Sequence, residues 1–338
     1  MNYNTEILSP TDENIEKAGR LLKSGEVVGI PTETVYGLAA DATNPEAVSK
    51  IFVAKGRPQD NPLIVHIADK TDIEKYAKDI PETAYRLADK FWPGPLTMVL
   101  PKKDIIPKVT SGGLDTVGIR FPSNPIAQKI IKVSGLPLAA PSANLSGKPS
   151  TTTAKHVFDD MNGRISAIVD GGACSVGVES TVISFSGEDV IILRPGFISK
   201  EDLLTVADNV IIDKGVLSEM SEDAVVASPG MKYKHYSPKA NVVIVEGKYD
   251  KFLSFFEKNY SEGIYAMIFG NETNEFPYPH FSYGETDSEQ AVELFNKLRM
   301  ADEINVKTVY VRCPSKDGVG LAVYNRLIRA AGFEVIKL

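Results

Sequence analysis

Cysteine is scarce in this sequence. Cys174 and Cys313 are the only two, and they stand far apart. That excludes a disulfide framework and a cysteine metal cage, and points to reduced thiols in a cytosolic protein. Histidine is scarce as well: His66, His156, His235 and His280 show no metal-ligand spacing, and H-E-x-x-H is absent. G-x-x-x-x-G-K-[ST] is also missing, which removes a Walker-type phosphate loop. Long apolar runs are lacking. Stretches such as "GIYAMIFG" are strand-sized and far too short to span a bilayer. The N-terminal "MNYNTEILSPTDENIEK" is acidic and has no apolar h-region, so no signal peptide is expected. Nor is there a basic excess. Lys and Arg number 37 against 44 Asp and Glu, for a net charge of -7. A bulk-charge grip on nucleic acid is therefore not the first expectation, although local basic clusters can still hold a small anion.

What is present is an ordinary globular composition, 43% hydrophobic and 24% charged, over 338 residues. That length exceeds one hydrophobic core, so two domains are expected. "NIEKAGRLLKSG" sets Ile15, Ala18 and Leu22 on one helical face and stops at Gly25. Pro45 is well placed to open a helix over "PEAVSKIFVAK". Strands are predicted over "EVVGIPTET", "PLIVHIA", "LTMVLPK", "TVGIRFP", "LPLAAPSAN", "ISAIVDGG", "STVISF" and "VIILRPG", a long helix over 71–90, and a helix over "NPIAQKIIKVSG". Strands outnumber helices, which predicts a mixed, twisted α/β sheet over residues 1–213. Residues 214–239 lack a sustained period and read as a linker too long to be a mere spacer. From 240 to 338, strand and helix alternate, with helices at 249–258, 287–303 and 320–331. That predicts a small Rossmann-like parallel α/β domain. "GVGLAV" there begins like a dinucleotide fingerprint but lacks the third glycine, and is read as a packing turn.

Polar residues gather at predicted strand ends. "PTETVYGLAADA" carries Thr32, Glu33, Thr34 and Tyr36 after a strand, where hydroxyls can line a crevice or simply form a turn. "AKGRPQDNPLIVHI" places Lys55 and Arg57 two apart at a helix end. Cations there complement the helix dipole at no functional cost. Pro58 and Pro62, however, fix the loop that presents them, as an anion site would require. Arg120 lies inside an apolar strand, facing either solvent or a cleft. "AAPSANLSGKPST" crowds Ser142, Asn144, Ser146, Ser150 and Thr151 around Gly147, letting a phosphate or carboxylate approach backbone N–H groups, or else capping the next helix. "GVESTVI" and "LRPG" add Glu179, Ser180, Thr181 and Arg194, and arginine suits planar bidentate contact with such anions. Each signal is weak alone. Together they describe a cavity for small anions, working by proximity and charge neutralisation, with no local nucleophile–base signature.

"PTETVYGL", "AKGRPQDNPLIVHI" with its K-x-R element, "PSANLSG" with its S-x-N element, "ESTVI" and "LRPG", in that order, resemble the YrdC-type threonylcarbamoyl-AMP synthases. "SPGMKYKHYSP" and the α/β tail are similar to the family's two-domain members. The resemblance implies that L-threonine, bicarbonate and ATP, with magnesium, give threonylcarbamoyl-adenylate and pyrophosphate, and that the product passes to a separate transferase that modifies tRNA. It assigns Lys55, Arg57, Asn61, Thr116, Ser142, Asn144, Ser150 and Arg194 to ATP, with Lys55 and Arg57 catalytic. It assigns Thr34, His66, Arg120, Ala140 (through its backbone) and Thr181 to threonine or the carbamate. It implies no fixed protein ligands for the metal. "MKYKHYSP" offers Tyr233, His235, Tyr236 and Ser237 with two lysines, expected to fold over the cavity as a lid that touches ATP through Tyr236 or Ser237, or else to serve as a solvated tether. The rival readings are an RNA-binding module and a subunit activating carbamoyl phosphate. Weak RNA contact remains a secondary expectation.

Overall fold

The computed structural model describes residues 3–59, 61–216 and 236–338, and everything below concerns these. No described helix is long and apolar enough to cross a membrane.

The N-terminal part contains β1 (Glu6–Leu8), β2 (Val28–Ile30), β3 (Gly37–Asp41), β4 (Ile64–His66), β5 (Leu96–Pro101), β6 (Thr116–Arg120), β7 (Leu138–Ala139), β8 (Ala167–Val169), β9 (Thr181–Ser186), β10 (Asp189–Arg194) and β11 (Val210–Ile212). They join in the order β1-β8-β2-β3-β7-β4-β6-β5-β9-β10-β11. Pairings mix both senses: β4–β6 and β5–β9 are parallel, while β2–β3, β5–β6 and β9–β10 are antiparallel. The expected mixed sheet is therefore present. Helices α1 (Asp12–Lys23), α2 (Pro45–Lys55), α3 (Ile73–Tyr76), α4 (Glu82–Phe91), α5 (Pro125–Ser134), α6 (Ala154–Met161) and α7 (Lys200–Leu204) accompany it.

Local chemistry explains where these helices begin and end. Asn44 caps α2 by accepting from the N–H groups of Glu46 and Ala47, Pro45 fills the first turn, and Gly56 closes the helix in the left-handed conformation. The long helix expected over 71–90 is instead broken into a 3-10 turn, α3 and α4. Pro81 drives Ile80 out of the helical region, and Asp79 turns the chain with φ of 50°. Strands β1, β3 and β11 and helix α7 were not expected. The first three gain their stability from neighbours across the sheet rather than from a period of their own.

The C-terminal part contains β12 (Asn241–Glu246), α8 (Tyr249–Asn259), β13 (Ile264–Ile268), β14 (His280–Ser282), α9 (Asp287–Glu303), β15 (Thr308–Arg312), α10 (Gly318–Ala330) and β16 (Val335–Lys337). Its sheet, β14-β13-β15-β12-β16, is parallel throughout, as the alternation predicted, with β14 as an additional edge. "GVGLAV" is not a turn; it forms the opening turns of α10. Gly320 is needed there, because a Cβ would lie 2.5 Å from Ser315 Cβ.

The two parts share an apolar cluster. Val35, Val176 and Val178 pack with Val242, Leu294, Leu298 and Leu327. At Gly177 the chains touch backbone to backbone: φ is 81°, and a Cβ would sit 2.3 Å from both Ala291 O and Val292 Cα of α9. Gly177→Ala is therefore expected to wedge the parts apart. Left-handed strain of about 1–2 kcal/mol adds to a backbone clash that only domain movement can relieve. Thermal unfolding by calorimetry should occur several degrees lower. A midpoint equal to that of wild type would show that the interface yields freely.

Candidate active site at the strand ends

A cavity opens where β4, β6, β7 and β10 end and β9 begins. Five cations line it, Lys55, Arg57, Arg120, Lys148 and Arg194, against one carboxylate among the described lining residues, Glu179. Register explains part of this gathering. His66 pairs with Arg120 across β4–β6 and with Leu138 across β4–β7, so one sheet row delivers an imidazole and a guanidinium together, with Ala140 just beyond.

Lys55 organises the "PSANLSG" loop. Its carbonyl accepts from Ser146 N at 3.0 Å. Its ammonium donates to the carbonyls of Ser142 and of Asn144, the latter at 2.7 Å. Two of three ammonium donors are thus used, leaving one for a ligand. Burial, and after it the charge of Arg57, pulls the Lys55 pKa well below its ordinary value. An anion in the cavity would reverse that pull. Arg57 follows the left-handed Gly56 and lines the cavity. Asn144 Nδ2 donates to the carbonyls of Leu145 and Lys148, while its buried Oδ1 has no hydrogen-bond partner.

On the other flank, buried Arg120 donates to Thr34 Oγ1 at 2.9 Å and lies 2.8 Å from Glu33 Oε1. Its buried Nε and Glu33 Oε2 have no hydrogen-bond partner. Burial would raise the Glu33 pKa, but Arg120 overcomes that and holds the carboxyl ionised. His66 is pushed down to about 3, first by burial and then by Arg120, so it works as a neutral imidazole. Burial also draws Arg194 down to about 10; its guanidinium donates to Ser180 O at 3.0 Å and Ser180 Oγ at 3.2 Å.

Of the residues assigned from sequence, Lys55, Arg57, Ser142, Asn144, Arg194, Tyr236, Thr34, His66, Arg120 and Ala140 line this cavity together. Asn61, Thr116, Ser150, Thr181 and Ser237 do not line it. Ser150 nevertheless donates to Glu179 Oε1, and Ser237 N donates to Gly147 O at 2.9 Å. Thr181 Oγ1 donates to Ile198 O at 2.7 Å. Tyr236 is buried at the cavity, stacked on Phe295 with ring centroids 5.3 Å apart. Tyr233, His235 and the two linker lysines lie outside the described residues. Sequence reading missed Lys148, although it sits inside the "PSANLSGKP" motif. It also missed two arginines of the C-terminal part, Arg299 and Arg326, which sequence gave no means of relating to this cavity.

Cations at strand ends and in loops of one domain, with Tyr236 from the segment leading into a second, define a two-domain enzyme scaffold suited to anionic small molecules. Comparison with known proteins narrows that class. Residues 20–196 match the Sua5–YciO–YrdC family profile, described as telomere recombination, and residues 198–332 match that of the threonylcarbamoyl-AMP synthase C-terminal domain. The chain belongs to this family in its two-domain form. It is 45% identical to the threonylcarbamoyl-AMP synthase of Pyrococcus abyssi, covering 96% of each chain. It is 46% identical to that of Bacillus subtilis, over 98% of this chain and 97% of the relative. Its fold matches P. abyssi Sua5 complexed with L-threonine at a TM-score of 0.91 and 42% identity, covering 99% of this chain and all 100% of the other.

Proposed function

We propose that this chain is an L-threonylcarbamoyladenylate synthase acting on L-threonine, bicarbonate and ATP. One observation carries the reading: among the described residues, five cations and a single carboxylate line one cavity, in a family whose full-length relatives bear that name. The chemistry calls for such a cavity. Threonine's amine takes up bicarbonate's carbon as an N-carboxylate with loss of water. Its oxygen then attacks the α-phosphorus, and the bond to the β-phosphate oxygen breaks, releasing pyrophosphate. Nucleophile and electrophile are both anionic, so their approach requires fixed positive charge in a dry site.

Lys55, Arg57 and Arg194, with Ser142 and Asn144, form the ATP side, to which Asn61, Thr116 and Ser150 are also assigned. Arg120, with an Nε still open for a carboxylate, forms the threonine side with Thr34, neutral His66, the backbone of Ala140, and Thr181. Glu179, the one carboxylate among the described lining residues, is engaged by Ser150 and Arg326, which does not suit a protein-held cation, so magnesium would come bound to the nucleotide and supply further charge neutralisation there. The adenylate then passes, in the cytoplasm, to a transferase that acts on tRNA.

The test is pyrophosphate release from magnesium-ATP with threonine and bicarbonate omitted in turn. Turnover should require both. Turnover with carbamoyl phosphate and no threonine would overturn the assignment.

The end of the linker acts as a lid. Tyr236 closes the cavity wall, with the Arg326 guanidinium 6.0 Å from its ring. Tyr236→Ala is expected to lower the adenylate recovered per pyrophosphate released about tenfold, by admitting water to a hydrolysable product. Unchanged ATP affinity and unchanged recovery would reduce the segment to a tether.

A further inference from the structure

Helix α10 of the C-terminal domain sends Arg326 against Glu179, behind the lining of the cavity. Its side chain is fully buried. Nε lies 2.9 Å from Glu179 Oε2, Nη1 donates to Pro195 O at 2.6 Å, and Nη2 reaches Glu179 O at 3.3 Å. One guanidinium thus ties the turn before β9, which carries Glu179 and Ser180, to the end of β10, where Arg194 is the last strand residue and Pro195 follows it. Glu179 in turn accepts from Ser150. A second C-terminal arginine, Arg299 on α9, donates to Ser150 O at 3.2 Å, to Pro149 O at 2.5 Å and to Asp160 Oδ2 at 2.9 Å. The segment holding Ser150 is therefore gripped at its hydroxyl, through Glu179, and at its carbonyl, both times from the other domain.

Inserting a guanidinium this far from water is costly, and a buried ion pair adds little stability compared with apolar packing. The apolar cluster already joins the domains. What the arginine supplies that valines cannot is direction: a rigid fork whose Nε and Nη2 meet Glu179 before β9 while Nη1 meets Pro195 after β10.

We propose that Arg326, supported by Arg299, is a positioning residue for adenylate formation, fixing Arg194, Glu179 and Ser150 as one unit on the ATP side of the cavity. The C-terminal domain then completes the nucleotide site as well as carrying the linker. This rests on the assignment of Arg194 and Ser150 to ATP.

The groups facing Glu179 are Arg326 from α10, Arg194 from the end of β10 and the Ser150 hydroxyl, with Lys55 and Tyr236 also within its field. Burial by itself would raise the Glu179 pKa; Arg326 and then Arg194 reverse this and keep it ionised. Removing Arg326 would therefore raise the carboxyl's pKa, and the acid limb of the rate profile would move to higher pH.

The experiment measures pyrophosphate release by the full chain across pH. Wild type comes first. If it shows no threonine-dependent release, the proposed function falls, and this inference with it. Given that activity, Arg326→Met is expected to raise the KM for ATP about tenfold or more while the KM for threonine stays within about twofold, because misplacement is confined to one flank. Its acid limb should move to higher pH. Arg326→Lys should return that limb while recovering only part of the ATP affinity. Arg299→Met should weaken ATP without moving the limb, since Arg299 has no bond to Glu179. Glu179→Gln keeps Arg326 and removes the charge, so its raised KM for ATP decides the matter even if Arg326→Met fails to fold. The inference is overturned if Glu179→Gln handles ATP as wild type does. It is also overturned if folded Arg326→Met shows an unmoved acid limb with both KM values unchanged or equally raised.

Discussion

Arg57→Glu is expected to lower kcat/KM for ATP about 10³-fold or more. Loss of one preorganised electrostatic donor costs about 10²–10³ in rate, and reversal adds repulsion to the loss. Arg57 follows the last turn of α2, where Gly56 in the left-handed conformation turns the chain into the Pro58–Pro62 loop. It stands beside Lys55, whose own charge is weakened by burial and by Arg57. A glutamate at 57 would pair with the Lys55 ammonium and occupy the place of a phosphate. Fold should survive, because Arg57 is half-buried in a loop rather than set in the core. The readout is pyrophosphate release at saturating threonine and bicarbonate, with circular dichroism as the control. Activity within about threefold of wild type would remove the charge-neutralisation argument altogether.

Arg120→Met is the second large effect, and it falls on threonine. The KM for threonine should rise about 100-fold, the equivalent of one charge-assisted hydrogen bond of roughly 3 kcal/mol. That for ATP should change little. The variant should also lose stability, since Glu33 is left buried and ionised without its guanidinium; breaking such a pair costs about 3–5 kcal/mol. Adding Glu33→Gln separates the two consequences. The double variant should regain much of its thermal midpoint, because the orphaned charge is gone, yet remain unable to hold threonine. Restored threonine affinity in the double variant would mean that Arg120 serves Glu33 alone.

The site was legible to different depths. The row that joins His66 to Arg120 follows from two strands whose apolar residues were plain in "PLIVHIA" and "TVGIRFP". Lys55 and Arg57 were visible through Pro45 and the flanking Pro58 and Pro62, each with its own backbone preference. Their division of labour was not visible. Lys55 spends two donors on the loop carbonyls at Ser142 and Asn144, a contact 87 residues distant for the first of them. Nothing local to a lysine announces such a partner. The 71–90 stretch shows the opposite failure: a helical period was followed through Pro81, although proline's steric demand on Ile80 was already written there.

By itself, the sequence determined most of the longer elements and their order, the mixed sheet and the parallel domain after it, and the cations stationed where those elements end. It could do so because periodicity, caps, glycine and proline act over a few residues and leave their mark within reach of one another. Only the tertiary structure decided that Glu179 has Arg326 for its partner, 147 residues away, and that Gly177 must lack a side chain because α9 lies against it. Those are consequences of how two separately patterned domains dock. Docking is set by shape and charge summed over whole faces, which no short window of the chain contains.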